Sequence, residues 1–222
     1  MNTAHQAAAE RRQNDVTQRS HRPSHRRSAP NDTARADVTF HAQMSARGSS
    51  NDSSLVHFHG LASAYERPYE MYDMWGPYTE VVTAGAGAKT LARADLDVPL
   101  VLQHDQLRRI ASTRNGTLTL SESDAGLEVD APTLDLADQD VAYIVPKLRA
   151  GLIEEMSFAF RITRGIWSPD YTEYRIEEYD IHRGDVAIVG FGANPNTNTN
   201  VRAQPTGREL IRADETRLLL YL

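Results

Sequence analysis

The chain has 222 residues, a formal net charge of −6 and no cysteine. The missing thiols exclude a disulfide framework, a Cys-based zinc site, an iron–sulfur cluster and a cysteine nucleophile. No apolar run approaches the roughly 20 residues of a membrane helix, the arginine-rich start lacks the apolar stretch of a secretory signal, and the acidic balance argues against a general nucleic-acid binder.

The charge is uneven. Residues 1–36 hold seven Arg against Glu10, Asp15 and Asp32, a surplus of +4, so the remainder carries −10. The first 38 residues contain no Leu, Ile, Phe, Tyr or Trp. Such a segment buries too little to offset the entropy of ordering. Residues 1–52 are therefore expected to be a disordered basic arm. It reads as a contact for an acidic partner or nucleic acid, as an inert tail, or as sequence ahead of a start at Met44.

From Leu55 the texture changes. Leu55–Gly60 reads as a short strand, and 61–80 as irregular. Thr79–Ala94 fits a helix or two helical turns, interrupted by Gly85 and Gly87. Val98–Leu102 is an apolar run that ends at Gln103-His104-Asp105. Asn115-Gly116 between 108–112 and 117–120 is a hairpin signal. Asp135–Ala150 is the best helix, with Asp135 or Asp138 as its cap, Gly151 as its stop and Pro146 expected to kink or divide it. In 154–162, Met156, Phe158, Phe160 and Ile162 alternate with Glu155, Ser157, Ala159 and Arg161, a strand with one apolar face. Residues 171–181 and 185–191 read as two further strands, and Leu210–Leu220 as a terminal helix. The expected organisation is the arm, a mostly β, α+β domain over 53–203, and a helical tail over 204–222.

Three reactive side chains sit beside buried runs. His104 follows the 98–102 run, Ser157 lies mid-strand, and Asp185 opens the strand that begins at Val186. Acyl transfer needs this kind of set: an imidazole to take the serine proton and a carboxylate to hold the imidazole. On spacing alone, a single serine on a strand is more often a structural hydroxyl.

Read in order, several blocks resemble the prohead (capsid maturation) serine proteases of tailed phages, distant relatives of herpesvirus assemblin. These are Phe58-His-Gly-Leu-Ala-Ser-Ala-Tyr65, Gly76-Pro-Tyr-Thr-Glu80, Val98-Pro-Leu-Val-Leu-Gln-His104-Asp105, the pair Asn115–Leu120 and Gly126–Val129, Gly151-Leu-Ile-Glu-Glu-Met-Ser157-Phe-Ala-Phe160, and Asp185-Val-Ala-Ile-Val-Gly-Phe-Gly-Ala-Asn-Pro195. The resemblance spans about 55–200. It implies an assemblin-like, mostly antiparallel β-barrel with a few flanking helices. It implies Ser157 as nucleophile, His104 as general base and Asp185 as third member, where the family usually has glutamate. Ala187 and Gly192 depart from the family's serine and proline, and His182 is the rival third member, as in assemblin. It further implies a serine endopeptidase that needs no cofactor or metal. Its substrates would be the major capsid protein, the scaffolding protein and itself, with self-association possible, inside an assembling prohead in the host cytoplasm. Neither a membrane nor a specific nucleic acid is an expected partner. The alternative is a non-catalytic β-domain that binds capsid subunits.

Other features weigh less. His57 and His59 share a strand face but have no well-spaced third metal ligand. Arg183-Gly184-Asp185 spells an integrin tripeptide by coincidence. Glu154 and Glu155 are adjacent on a strand and face opposite ways. Leu218–Leu220 reads as a packing helix or a docking patch.

Overall fold

Alternating burial along extended segments organises the molecule. The computed structural model describes residues 3–15, 23, 27–28, 54–193 and 198–202. In chain order the elements are α1 (Thr3–Asn14), β1 (Arg27–Ser28), β2 (Leu55–Ala64), β3 (Tyr69–Tyr72), β4 (Pro77–Val82), α2 (Ala88–Leu91), β5 (Pro99–Leu102), β6 (Asp105–Ser112), a 3₁₀ turn (Thr113–Asn115), β7 (Thr119–Glu122), β8 (Gly126–Asp135), α3 (Gln139–Arg149), β9 (Glu155–Trp167), β10 (Glu173–Val189) and β11 (Asn198–Arg202). The helix expected over 210–220 lies outside the described residues.

The strands form two sheets. One runs β1-β3-β4-β10-β5-β6, with β9 on β10, and the other runs β11-β2-β8-β7. The long β10 takes β9 antiparallel along one edge. Its other edge takes β4 and then β5, both parallel. The class is α+β, but neither sheet closes on itself among the described residues. Two open sheets, one of them mixed, stand where the sequence led us to expect an antiparallel barrel. Strand β10 takes two parallel partners, β4 and β5, along one edge, which makes that sheet mixed.

Both sheets share one apolar core. Phe58, Leu127 and Val129 from one sheet meet Leu100, Met156, Ile176 and Ile188 from the other. Each such side chain contributes roughly 1.5–3 kcal/mol by leaving water. Helix α3 adds Val141, Ile144, Val145 and Leu148, the i, i+3, i+4, i+7 stripe of one helical face. Asp138 caps it, accepting from the N–H groups of Asp140 and Val141. Pro146 does not divide it. Lying near the last turn, it forfeits a single backbone bond.

Several local expectations change, and 61–80, read as irregular, holds the end of β2, all of β3 and most of β4. Thr79–Val82 belongs to strand β4, not a helix, because Tyr78, Glu80, Val81 and Val82 are buried against the sheet. The Asn115-Gly116 turn does not join a hairpin. Gly116 adopts φ 74°, and β6 and β7 leave it into different sheets. The two strands expected over 171–191 are one strand, β10, with a bulge between Asp180 and Asp185. Finally, the expected disordered arm carries helix α1. Its Arg12 side chain is buried with Asp73, at 2.8 Å.

Candidate active site

The hairpin between β5 and β6 carries His104. Leu102 pairs with Asp105, leaving Gln103 and His104 as the two turn residues. Both have positive φ, 53° and 59°. A two-residue turn with both centres left-handed is the type I′ hairpin, which usually takes Asn and Gly. Side chains with a Cβ cost roughly 1–2 kcal/mol each there. The Gln103 N–H holds the turn by donating to the Ile188 carbonyl at 3.0 Å. Strain of this kind persists where surroundings over-determine it, which is common at functional sites.

The bulge in β10 carries Asp185. From Asp180 to Asp185 the chain takes five steps, while β9 takes two, from Arg161 to Ala159. Arg183 absorbs the slack at φ 61°, and its N–H donates to the Asp97 carbonyl at 2.9 Å. Gly184 follows. A Cβ there would sit 1.8 Å from the Ala159 carbonyl oxygen, so only glycine fits. The next residue, Asp185, is 2% exposed. Its Oδ1 lies 2.6 Å from His104 Nδ1, and its Oδ2 accepts from Gln106 Nε2 at 2.6 Å. An ionised carboxylate can only accept, so His104 donates its Nδ1–H to Asp185 and keeps Nε2 as an acceptor.

Ser157 sits on β9 directly opposite Ala187, two residues along the ladder from the Asp185–Ala159 pair. Opposed strand residues point to one side, and alternate residues share a face. Ser157, Asp185 and Ala187 therefore line one face of the sheet, while Met156, Val186 and Ile188 enter the core. On that same face Val101, Ala187 and Val189 form a small apolar cluster. No hydrogen bond joins Ser157 to His104 among the described residues, and such contacts commonly tighten only with substrate. His182 lies within the bulge instead. Its Nδ1 accepts the Asp97 N–H at 3.3 Å, and it makes no hydrogen bond to His104 among the described residues.

Sequence reasoning missed Gln106. Besides donating to Asp185, it accepts from Arg109 Nη2 at 3.0 Å through Oε1. Its amide orientation follows from its neighbours, since a carboxylate only accepts and a guanidinium only donates. The signal lay two residues past His104, on the adjoining strand of the same hairpin. His57 and His59 each meet a carboxylate across the β2–β8 pair, Asp130 at 2.5 Å and Glu128 at 3.1 Å. Among the described residues no cluster of three or more His, Asp or Glu is placed to hold a metal, and no helix is long and apolar enough to cross a membrane.

Searches of curated proteins and of solved structures return no match to the chain. A family model does match, over residues 42–208, and it describes the caudovirus prohead serine proteases. That span covers more than half of the chain and contains the His104 hairpin, the Ser157 strand and the Asp185 bulge, so this protein belongs to the caudovirus prohead serine protease family.

Proposed function

We propose that this chain is an active serine endopeptidase with Ser157 as nucleophile, His104 as general base and Asp185 as the group that orients His104. The observation that carries the reading is the 2.6 Å contact between His104 Nδ1 and the buried Asp185 carboxylate, on the sheet face that also bears Ser157. His104 Nε2 takes the Ser157 proton as Oγ attacks the scissile carbonyl. The same proton then passes to the departing amine, leaving an acyl-enzyme. Water, deprotonated by His104, releases the acyl group and restores the serine. Asp185 stabilises the imidazolium formed in each half-reaction.

The family's place in prohead processing supports capsid-related substrates. We assign the major capsid protein, its scaffolding segment or a separate scaffolding protein, and the enzyme itself as substrates within the assembling prohead. A fluorophosphonate probe tests the reading. Covalent labelling of Ser157, abolished in His104→Ala, supports it. A folded protein that takes no label is a non-catalytic assembly factor.

A further inference from the structure

The sheet face beside the triad opens into a cleft of about 470 Å³. Arg109, Arg114 and Arg183 line it together with Gln106, Gly184 and a single acid, Asp97. Arg114 is the only one of the three with an ion-pair partner among the described residues, Asp97 at 3.5 Å. Arg109 spends its guanidinium on Gln106, a neutral partner. The exposed Arg183 side chain has no hydrogen bond or ion pair among the described residues, and its backbone is held left-handed at φ 61°. Three cations against one carboxylate leave the cleft positive in a chain whose net charge is −6.

The cleft adjoins the triad through two residues. Gln106 lines it and donates to Asp185, and Gly184 lines it and precedes Asp185 in the chain. Ser157 lies on the same sheet face as Asp185. We infer that the cleft framed by Arg109, Arg114 and Arg183 is a subsite for an acidic side chain, Asp or Glu, of the polypeptide presented to Ser157. The inference rests on the peptidase reading. A guanidinium fork matches a carboxylate in two parallel hydrogen bonds, and one left without a partner has donors to offer.

Two measurements test it. The first is binding of fluorescent hexaglutamate and hexaglutamine peptides to the full-length Ser157→Ala chain, alone and with Arg183→Asn or Arg114→Gln added. Asn tolerates the left-handed conformation at 183, and Arg114 is exposed, so both variants are expected to fold. Hexaglutamate binds at least tenfold tighter than hexaglutamine, and either substitution weakens it severalfold. Equal binding of the two peptides, unchanged binding in both variants, or equal competition by a single-stranded oligonucleotide overturns the subsite. The second is cleavage of a mixed peptide library by the parent chain and by the Arg183→Asn chain. An acidic residue is enriched at one position near the cut, and the variant loses that enrichment. Cleavage without acidic enrichment overturns the subsite and leaves the peptidase standing. Selective hexaglutamate binding with no cleavage and no fluorophosphonate label overturns the peptidase, and with it the cleft's role as a substrate subsite, leaving only an acidic-peptide binding site.

Discussion

Gly184 packs so closely under Ala159 that its missing side chain decides where Asp185 points. A Cβ at 184 would meet the Ala159 carbonyl oxygen at 1.8 Å, a distance no side chain tolerates without displacing backbone. Gly184→Ala is therefore expected to open the bulge and pull Asp185 away from His104. The expected cost is about 1–3 kcal/mol of stability, as for an overpacked site, with a much larger fractional loss of peptidase activity. Thermal melting and peptide hydrolysis check this together. Activity near the parental level would show that the bulge does not aim the carboxylate.

Ser157→Ala removes one oxygen from a strand position and adds no volume. The fold is expected to persist, with melting within a degree or two of the parent. Processing of co-expressed capsid protein is expected to fall by about 10⁴-fold or more, as when a triad nucleophile is lost elsewhere. Gel analysis of capsid cleavage reads the result, and parental processing would remove Ser157 from the mechanism.

Gln106 donates to Asp185, and Asp185 in turn contacts His104. Asp185→Ala is expected to cut kcat strongly yet leave more activity than His104→Ala, because the orienting acid is the member whose loss costs least. Gln106→Leu is expected to lower kcat by about 10–100-fold with KM nearly unchanged, since a hydrogen bond to a charged group is worth about 1.5–3 kcal/mol. His182→Ala serves as the comparison. If it is inactive while Asp185→Ala is nearly silent, the third member is a histidine.

Arg12 ties α1 to the body of the protein. It pairs with Asp73 through Nε and Nη2, donates to the Gly76, Pro77 and Tyr171 carbonyls, and lies 5.0 Å from the Trp167 ring centroid. Both charged groups are buried. Arg12→Met leaves the Asp73 carboxylate buried without its cation, at about 3–5 kcal/mol. For a domain of this size that lowers Tm by on the order of 10 °C. A chain beginning at Met44 is expected to melt lower than the full chain. Equal melting of the two chains would show that α1 adds nothing.

The pH dependence of stability has a definite sign at two carboxylates. Burial pushes Asp180 up, but hydrogen bonds from the His182 N–H, Thr90 and Arg161 outweigh it and hold the group below its ordinary value. Arg175 holds Glu66 down through a hydrogen bond. A depressed acid stabilises the fold above its unfolded pKa, about 4, and that contribution fades as pH falls through the folded value. Tm is expected to drop from pH 5 towards pH 3, and Arg161→Gln to flatten part of that drop. An unchanged slope in the variant would show that Arg161 does not hold Asp180 down.

The local pattern along the chain determined much of this protein. Alternation from Met156 to Ile162 marks β9 and puts Ser157 on its polar face. The apolar stripe of α3 and its Asp138 cap follow from helical spacing. The order of the blocks around His104, Ser157 and Asp185 was enough to indicate the family. Pairing partners were not legible, because a strand's own residues do not say which edge it joins. Thus Asn115-Gly116 reads as a hairpin yet connects two sheets, and β10 takes both β4 and β5, in parallel, on one edge. Gln106 and Gly184 gained their roles only when the bulge and the left-handed turn at Gln103-His104 brought β5, β6 and β10 together. Arg12 shows the same limit from the other side. Its segment has almost nothing apolar to bury, so composition predicts disorder. The buried Asp73 carboxylate, 61 residues away in sequence, is what holds the helix in place, because a long-range ion pair leaves no periodic trace in the chain.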